Sequence, residues 1–265
     1  MENPLLAFEK IKRTNEYGFE YWSSRELART LEYSEYRHFL PVIDRAKVSC
    51  TNSGQDTIDH FEDVLDMVEI GSTASRKISD IYLSRYACYL IMQNADPSKE
   101  IVALGQTYFA IQTRKQEKQE LLIEDRKRID LREEMTAHNK HLAESASKAG
   151  VQNYGLFTNY GYMGLYGGLD MKKLHSRKKL SKSQKVLDHM SSEELAANLF
   201  RATQTDAKLR RENIQGEARA NQTHFEVGKK VRQTIKELGG TMPENLPATD
   251  SIGKAKTRIK KAIKA

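Results

Sequence analysis

Cysteine and long apolar runs are scarce in this 265-residue sequence, and each scarcity excludes a class of protein. The two cysteines, Cys50 and Cys88, show neither CxxC nor zinc-ligand spacing, which excludes a disulfide framework and a cysteine-based zinc site. No apolar run approaches the roughly 18 residues of a membrane-spanning helix, and the N-terminal residues lack the apolar core of a signal peptide. We therefore expect a cytoplasmic protein that does not bind a membrane.

Catalytic motifs are also missing. The sequence has no G-x-G-x-x-G, no G-x-x-x-x-G-K-[ST], no G-x-S-x-G and no H-E-x-x-H. Glu134, His138 and His141 fall on one face of a helix at i, i+4 and i+7, which suggests a metal-dependent nuclease as an alternative hypothesis. Three such residues on an exposed helix are more simply explained as surface residues. The sequence therefore predicts no catalytic residue, no metal and no cofactor.

Proline is absent between Ser98 and Thr241, where most of the sequence pattern is helical. Before Ser98, amphipathic helices alternate with short strand patterns, and residues 66–70 and 77–83 are expected to pair as a hairpin. The predicted fold class is an α+β N-terminal domain, with short strands and helices, followed by a mainly α-helical C-terminal region with long helices. The expected domains are 1–118 (α+β), 119–150 (a connecting helix), 151–250 (helical, with a Tyr/Gly loop and a basic run) and 251–265 (a basic tail).

Positive charge is concentrated in two segments. The formal charge is +7, but residues 172–185 carry seven Lys or Arg and no acid, and residues 253–265 carry six and no acid. The remainder of the chain is therefore net acidic. Such a distribution is typical of chains that bind a polyanion, although a single charged run is also common on a solvated surface or tail. In the first segment the candidate phosphate contacts are Lys172, Lys173, Arg177, Lys178 and Lys179.

Aromatic residues interleaved with glycine directly precede the first basic segment. The stretch NYGLFTNYGYMGLYGGLD (153–170) is expected to break the helical pattern as a loop. Aromatic rings stack on unpaired bases at about 1–3 kcal/mol per base while neighbouring cations hold the phosphates, so the combination favours single-stranded nucleic acid. The alternative is a compact loop whose tyrosines pack against helices. The candidate stacking residues are Tyr160, Tyr162 and Tyr166.

A pair of short helices is predicted in YWSSRELARTLEYSEYRHFLPVIDRA (21–46). Ser23 and Glu26 form a capping box for the first helix, and Ser34 can cap the second. Because Pro41 has no backbone donor, the second helix is expected to kink or restart near residue 40. A helix pair of this kind can meet phosphates or base edges of duplex DNA, although neighbouring acids cancel much of its charge. Its exposed candidates include Arg25, Arg29 and Arg37.

Two features of the later helices also follow from the pattern. Ser191 and Glu194 form a second capping box. The helix that leaves the first domain has Lys115 and Lys118 where a coiled-coil seam would need apolar residues, so its middle should be exposed. A long exposed helix is compatible with a homodimer.

Several stretches resemble known families. YWSSRELARTLEYSEYRHF, DHFEDV and ISDIYLSRYACYLIMQNADPSKEIVALGQTYFAIQTRKQE are similar to the Bro-N domain of baculovirus repeated proteins and phage antirepressors. GYMGLYGGLD, LDHMSSEELAANLFRATQTDAKLRREN and HFEVGKKVRQTIKELGGTMPENLP resemble the bacterial DNA damage-inducible protein D family. The resemblance covers about residues 10–250, and the basic end after Ser251 lies outside it.

The resemblance implies a non-enzymatic protein of the SOS response that antagonises the recombinase RecA on single-stranded DNA. Its Bro-N part implies DNA binding, and the residues that match this pattern are Trp22, Arg25, Arg29 and Arg37. Two hypotheses remain open. In the first, the C-terminal half engages single-stranded DNA, the RecA filament, or both. In the second, the helix pair reads duplex DNA in a transcription regulator of the antirepressor type.

Overall fold

The computed structural model describes residues 8–70 and 74–264, without the side chains of residues 67–70 and 74–75. The chain divides into two compact units, Met1–Gln116 and Glu117–Ala265, and the boundary falls inside one long helix. Residues 1–7 of the first expected domain and Ala265 of the expected basic tail lie outside the described residues. Strands and helices alternate in the first unit and long helices follow, so the predicted fold class is confirmed.

An antiparallel sheet organises the first unit. It contains β1 (Arg13–Thr14), β2 (Glu20–Ser23), β3 (Phe61–Ile70) and β4 (Ala74–Leu83) in the order β1-β2-β4-β3. The strands β3 and β4 pair along their full length, from Phe61 opposite Leu83 to Ile70 opposite Ala74. The predicted hairpin is therefore confirmed, and both of its strands begin earlier in the sequence than the alternating pattern indicated.

Three helices, α1 (Ser24–Thr30), α2 (Tyr36–Asn52) and α3 (Arg85–Asn94), pack with this sheet. The Ser23 hydroxyl caps α1 by accepting from the Glu26 backbone N–H at 3.3 Å, as predicted. The expected Ser34 cap is wrong, because α2 begins at Tyr36, two residues after Ser34, and Glu35 precedes it without a side-chain cap. The buried side chains of this core include Trp22, Leu27, Leu31, Phe39, Ile43, Leu83 and Ile91.

Helix α2 continues through Pro41, so the expected restart near residue 40 is wrong. The proline removes the backbone bond that the Arg37 carbonyl would otherwise accept. Pro41 and Arg37 are both exposed, and water can therefore satisfy that carbonyl. The apolar face of α2 remains buried on both sides of the proline, at Phe39, Val42 and Ile43, and this packing holds the helix together.

The second unit is built from helices. They are α4 (Glu100–Lys148, which starts in the first unit), α5 (Tyr154–Leu165), α6 (Met171–Arg177), α7 (Ser192–Arg211), α8 (Glu217–Glu237) and α9 (Ile252–Lys264), with 3-10 turns at Val186–His189 and Pro243–Asn245. The Ser191 hydroxyl caps α7 by accepting from the Glu194 N–H at 3.2 Å, which confirms the second capping box. None of the helices in the described part of the chain is long and apolar enough to cross a membrane.

Helix α4 combines an exposed middle with a buried end. Residues 113–121 are exposed, as the lysines at the seam positions predicted. Further along, Met135, Leu142 and Ala146 are buried in an apolar cluster with α5, α7 and α8. Residues 119–150 therefore form part of the second unit, whereas the sequence had suggested only a connecting helix.

Candidate nucleic-acid interface

The basic run begins on a short capped helix. The Asp170 carboxylate accepts from the Lys173 N–H at 2.7 Å and so fixes the start of α6. Leu174 is the buried residue of this helix, while the Lys172 and Lys173 side chains are exposed. One apolar anchor and one cap thus hold both lysines in a defined position at the surface.

Two of the predicted phosphate contacts have structural partners instead. The buried Lys178 ammonium lies 2.8 Å from Glu194 Oε2 and donates to the Leu246 carbonyl at 3.1 Å. Arg177 is exposed, but its guanidinium donates to the Glu244 carbonyl at 2.8 Å and to Asn245 Oδ1 at 2.9 Å. The prediction that Lys178 contacts phosphate is therefore wrong, because its ammonium is buried and paired with Glu194 and cannot reach a ligand.

The remaining cations of the run are all exposed. None of their ammonium groups makes an ion pair or a hydrogen bond with any residue in the described ranges. Lys179 sits at a tight turn with φ of 53°, which separates its direction from that of α6. We call this set the exposed lysine group: Lys172, Lys173, Lys179, Lys182 and Lys185.

Two of the three candidate stacking rings are buried, which corrects the prediction. Tyr162 is 2% exposed and Tyr166 is 1% exposed. The Tyr166 hydroxyl donates to Glu194 Oε1 at 2.8 Å and accepts from Asn198 Nδ2 at 2.7 Å, and burial raises the pKa of both tyrosines. A ring enclosed in this way cannot stack on a base. Tyr160 is half-buried and keeps part of its surface available.

Tyr162 and Tyr166 are buried because the Tyr/Gly stretch forms helix α5 and not the expected loop. The glycines of α5 allow α8 to approach closely: a Cβ atom on Gly164 would collide with the Phe225 carbonyl oxygen, and one on Gly161 with Arg201 and His224. On α8, Gly228 faces α5, and a Cβ atom there would lie 2.8 Å from the Gly161 carbonyl oxygen. Glycine therefore provides close helix packing here, where the sequence suggested flexibility.

The basic C-terminal segment is also ordered as helix α9. Its apolar side buries Ile252 and Ala255. Arg258 donates to Asp125 of α4 at 2.6 Å and to Asp250 at 2.7 Å, and both contacts raise its pKa. The segment predicted as a tail is thus a docked helix. Within residues 253–264, the cations left exposed and unpaired by the described part of the chain are Lys260, Lys261 and Lys264.

In the first unit, Trp22 is a core residue and not a nucleic-acid contact. Its side chain is 1% exposed, and its Nε1–H donates to the Phe8 carbonyl at 2.9 Å. The guanidinium of Arg85 lies over the ring at 4.9 Å. The prediction that Trp22 contacts DNA is therefore wrong, since the ring is enclosed on both faces by protein.

The three arginines of the helix pair differ in whether other residues of the protein hold their guanidinium groups. Arg25 is tethered, because its Nε–H donates to the Ser79 carbonyl at 2.8 Å and its guanidinium stacks 4.0 Å from the Tyr36 ring centroid. Arg37 pairs with Glu35 at 2.8 Å, which offsets its charge. Arg29 is exposed one turn after Arg25 and has no ion pair among the described residues. Of the three, Arg29 is the best placed to meet a phosphate.

A buried carboxylate fixes the start of α1 and hence the two arginines on it. Asp80 of β4 is 2% exposed and accepts from the hydroxyls of Ser23 at 2.5 Å and Ser24 at 2.6 Å. It also accepts from the backbone N–H groups of Arg25 at 3.3 Å and Ile81 at 2.7 Å. Four donors satisfy this carboxylate, so it ties the helix to the sheet without an ion pair.

The alternative nuclease ligands do not assemble. Within residues 8–70 and 74–264, no group of three or more His, Cys, Asp or Glu side chains is arranged to hold a metal ion. The rings of His138 and His141 lie 6.3 Å apart in an edge-to-face arrangement.

Some residues that the sequence motifs did not single out also lie at these sites. Lys182 and Lys185 belong to the exposed lysine group, and their place in the quoted basic run was the signal that could have identified them. Arg201 and His224 are buried together between α7 and α8. For Arg201 the signal was its position on the apolar side of α7, near Leu195 and Ala202.

Comparison with known proteins places these features in a family. The chain is 60% identical over 248 residues to DNA damage-inducible protein D of Escherichia coli (strain K12), which covers 91% of this chain and 90% of the relative. Residues 122–255 match the DinD C-terminal domain. The chain belongs to the DNA damage-inducible protein D family. Residues 10–110 match the BRO family N-terminal domain, so the resemblance drawn from the sequence is confirmed for both parts of this family member.

Proposed function

We propose that this protein is a non-enzymatic regulator of the DNA-damage response that binds single-stranded DNA through the exposed lysine group. The observation that carries the proposal is the set of five exposed lysines with no acidic partner among the described residues. Each can release a condensed counterion when it contacts a phosphate, which gives affinity without base recognition. The DNA damage-inducible name of the relative supports the cellular setting.

Binding through this surface is expected to depend on charge far more than on base stacking. Tyr162 and Tyr166 are enclosed, which leaves Tyr160 as the ring of the three with accessible surface. Phosphate contacts carry no sequence information, whereas stacking adds about 1–3 kcal/mol per base. We therefore expect weak sequence preference and a steep dependence of affinity on salt.

The same surface is proposed to act on the recombinase filament. A RecA filament holds single-stranded DNA, and a basic protein that engages this strand would hinder strand exchange by occupying it. The resemblance to the DNA damage-inducible protein D family supports this target. Contact with the filament's protein, in place of its DNA, would give binding that depends less on salt.

The decisive experiment compares two lysine-to-glutamine variants of the full chain. The first neutralises the exposed lysine group, and the second neutralises Lys260, Lys261 and Lys264 at the end of α9. Lys178 is left unchanged in both because its charge is buried and paired. Affinity for a single-stranded oligonucleotide and for preformed RecA filaments is measured across a salt series, together with inhibition of strand exchange.

We expect the first variant to lose at least about tenfold in affinity. The slope of log K against log salt, which is negative, should become less steep by about 0.7 per lost contact. The α9 variant should change both quantities much less. Wild-type affinity in the first variant would overturn the proposal. So would losses in both variants in proportion to the charge removed, since binding would then reflect overall charge alone.

The non-enzymatic part has its own test. Purified protein incubated with single-stranded and duplex DNA in magnesium or manganese should leave both intact. If the protein cleaves DNA and His138→Gln abolishes the cleavage, the non-enzymatic proposal is contradicted and the nuclease hypothesis is supported.

A second candidate function is duplex DNA recognition by the first unit. It is favoured by the match to the BRO family N-terminal domain and by exposed Arg29 lying one helical turn from tethered Arg25. Selection from random duplexes should enrich a motif with the wild-type chain and lose it with Arg29→Gln. If the wild-type chain enriches no motif, sequence-specific recognition of duplex DNA is contradicted. Single-strand binding then stands as the one proposed function.

A further inference from the structure

The second unit contains a cavity that the proposed function does not use. It has a volume of about 290 Å³ and is lined by residues of α4, α5, α6, α7, α8 and the 3-10 turn at Val186–His189. Its wall is mostly apolar, with contributions from Leu142, Ala143, Met171 and Leu187. A space of this size and lining is near the lower end of the range for small-molecule sites.

A buried arginine lies in the wall of this cavity. Arg201 is 1% exposed, and its guanidinium lies 4.9 Å from the centroid of the Tyr162 ring. One terminal N–H donates to His224 Nε2, and the other donates to Asn198 Oδ1 at 3.1 Å. Its Nε–H has no hydrogen-bond partner among the residues that the structure describes. Every partner of the guanidinium is therefore an uncharged group.

His224 does not supply the missing negative charge. Its Nδ1–H donates to the Phe157 carbonyl at 3.0 Å, so Nε2 carries the lone pair that accepts from Arg201. The ring is neutral in this arrangement, and burial together with the arginine lowers its pKa well below the usual value. The cluster thus retains the full positive charge of Arg201.

Other buried cations of the second unit are compensated. Lys178 has Glu194 at 2.8 Å, and Arg128 has Asp125 at 3.5 Å and three backbone carbonyls. Arg201 has no carboxylate within ion-pair distance among the described residues. An uncompensated buried charge costs several kcal/mol, and a bound anion would remove that cost.

We infer that this cavity binds a small organic carboxylate, whose apolar body fills the space and whose charge offsets that of Arg201. The mostly apolar wall favours a hydrocarbon body over inorganic phosphate, which would need donors around every oxygen. The Asn139 side-chain amide is a polar group of the lining, and exposed Lys140 lies at the same site. The inference does not depend on DNA binding.

Calorimetric titration of the full chain with four probes tests the ligand class. The probes are benzoate, hexanoate, inorganic phosphate and benzamide, the last being a neutral analogue of benzoate. We expect benzoate or hexanoate to bind, with benzoate at least about tenfold tighter than benzamide, and a matching rise in unfolding temperature. No binding by either carboxylate would overturn the inference, as would equal affinity for benzamide or a preference for phosphate.

Two variants on α4 locate the site. Ala143→Leu fills the cavity from a half-buried position, and Ala137→Leu adds the same atoms at an exposed position on the same helix. The first should abolish carboxylate binding while its unfolding remains cooperative, and the second should bind like the wild-type chain. Binding that survives Ala143→Leu would place the ligand elsewhere and overturn the assignment.

Discussion

Gly228 of α8 faces Gly161 of α5 so closely that a Cβ atom on Gly228 would lie 2.8 Å from the Gly161 carbonyl oxygen and 2.9 Å from the Leu165 nitrogen. Both neighbours are backbone atoms and cannot rotate away. Gly228→Ala should therefore force the helices apart and lower the free energy of unfolding by about 1–3 kcal/mol, measured by denaturant titration.

Gly253→Ala is the matched control for this substitution. A Cβ atom on Gly253 of α9 would approach nothing closer than Ser251 Oγ at 3.8 Å. Because alanine favours the helix, the control should be neutral or stabilising by up to about 1 kcal/mol. Equal effects of the two substitutions would show that helix propensity, and not close packing, explains the glycine on α8.

The buried pair Lys178–Glu194 should be far more important to stability than an exposed pair. Burial raises the pKa of Glu194, and Lys178 opposes that shift. Glu194→Gln would leave the lysine charge buried without compensation, at a cost of about 3–5 kcal/mol in the free energy of unfolding. The double variant with Lys178→Met should recover part of this loss, which a double-mutant cycle measures.

The control for the buried pair is the exposed pair Lys208–Glu212, at 2.7 Å on one face of α7. Glu212→Gln should leave the free energy of unfolding almost unchanged, because water and salt screen an exposed ion pair. If Glu194→Gln costs as little as Glu212→Gln, the assignment of Lys178 to the fold is wrong, and the lysine returns as a candidate DNA contact.

His224 should make the second unit less stable in mild acid. Its pKa in the folded protein lies well below the usual 6.5, because burial and then Arg201 disfavour the protonated ring. The unfolded chain therefore binds a proton below about pH 6.5 that the folded chain does not, so stability falls as the pH drops through this value. The maximum loss from one such group is about 1.4 kcal/mol per pH unit.

Denaturant titrations between pH 7.5 and 5 measure this effect in the wild-type chain and in His224→Gln. The variant should be less stable at neutral pH and should lose stability less steeply toward acid. His141→Gln, at an exposed position of α4, controls for the removal of an imidazole. An unchanged slope in His224→Gln would contradict the prediction.

Asp80 should stabilise the first unit by holding the start of α1. Asp80→Ala would leave the Ser23 and Ser24 hydroxyls without their buried acceptor, and we expect a loss of about 2–3 kcal/mol. Trp22 is the single tryptophan and lies in this core, so its fluorescence follows unfolding of the first unit. Asp44→Ala, at an exposed position of α2, should stay within about 0.5 kcal/mol of the wild-type chain.

Local signals in the sequence predicted local structure well. The serine caps at Ser23 and Ser191 act within three residues, and the β3–β4 hairpin follows from adjacent segments. The cap expected at Ser34 is wrong, because α2 begins at Tyr36 and Glu35 precedes it without a side-chain cap. The family assignment followed from motifs and is shown by the 60% identical relative.

The Tyr/Gly stretch shows why a site prediction can fail when the residues are identified correctly. Alternating glycine and tyrosine suggests a loop, because glycine lowers helix propensity. Contact with Gly228 of α8 converts the same residues into a helix that buries Tyr162 and Tyr166. The partner lies more than 60 residues away, so no local pattern could show it.

Features that depend on neighbouring residues and on charge count could be predicted from the residues alone: the α+β start, the long helices, two helix caps, the hairpin, the basic run and the family. Which charges remain available to a ligand follows from the folded arrangement. Among the described residues, Lys178 pairs with Glu194 and Arg258 pairs with Asp125, whereas the exposed lysine group is unpaired. Arg201 lies in the wall of a cavity and has no described carboxylate within ion-pair distance. The reason is physical: a side chain's availability depends on burial and on partners that lie far apart in the chain.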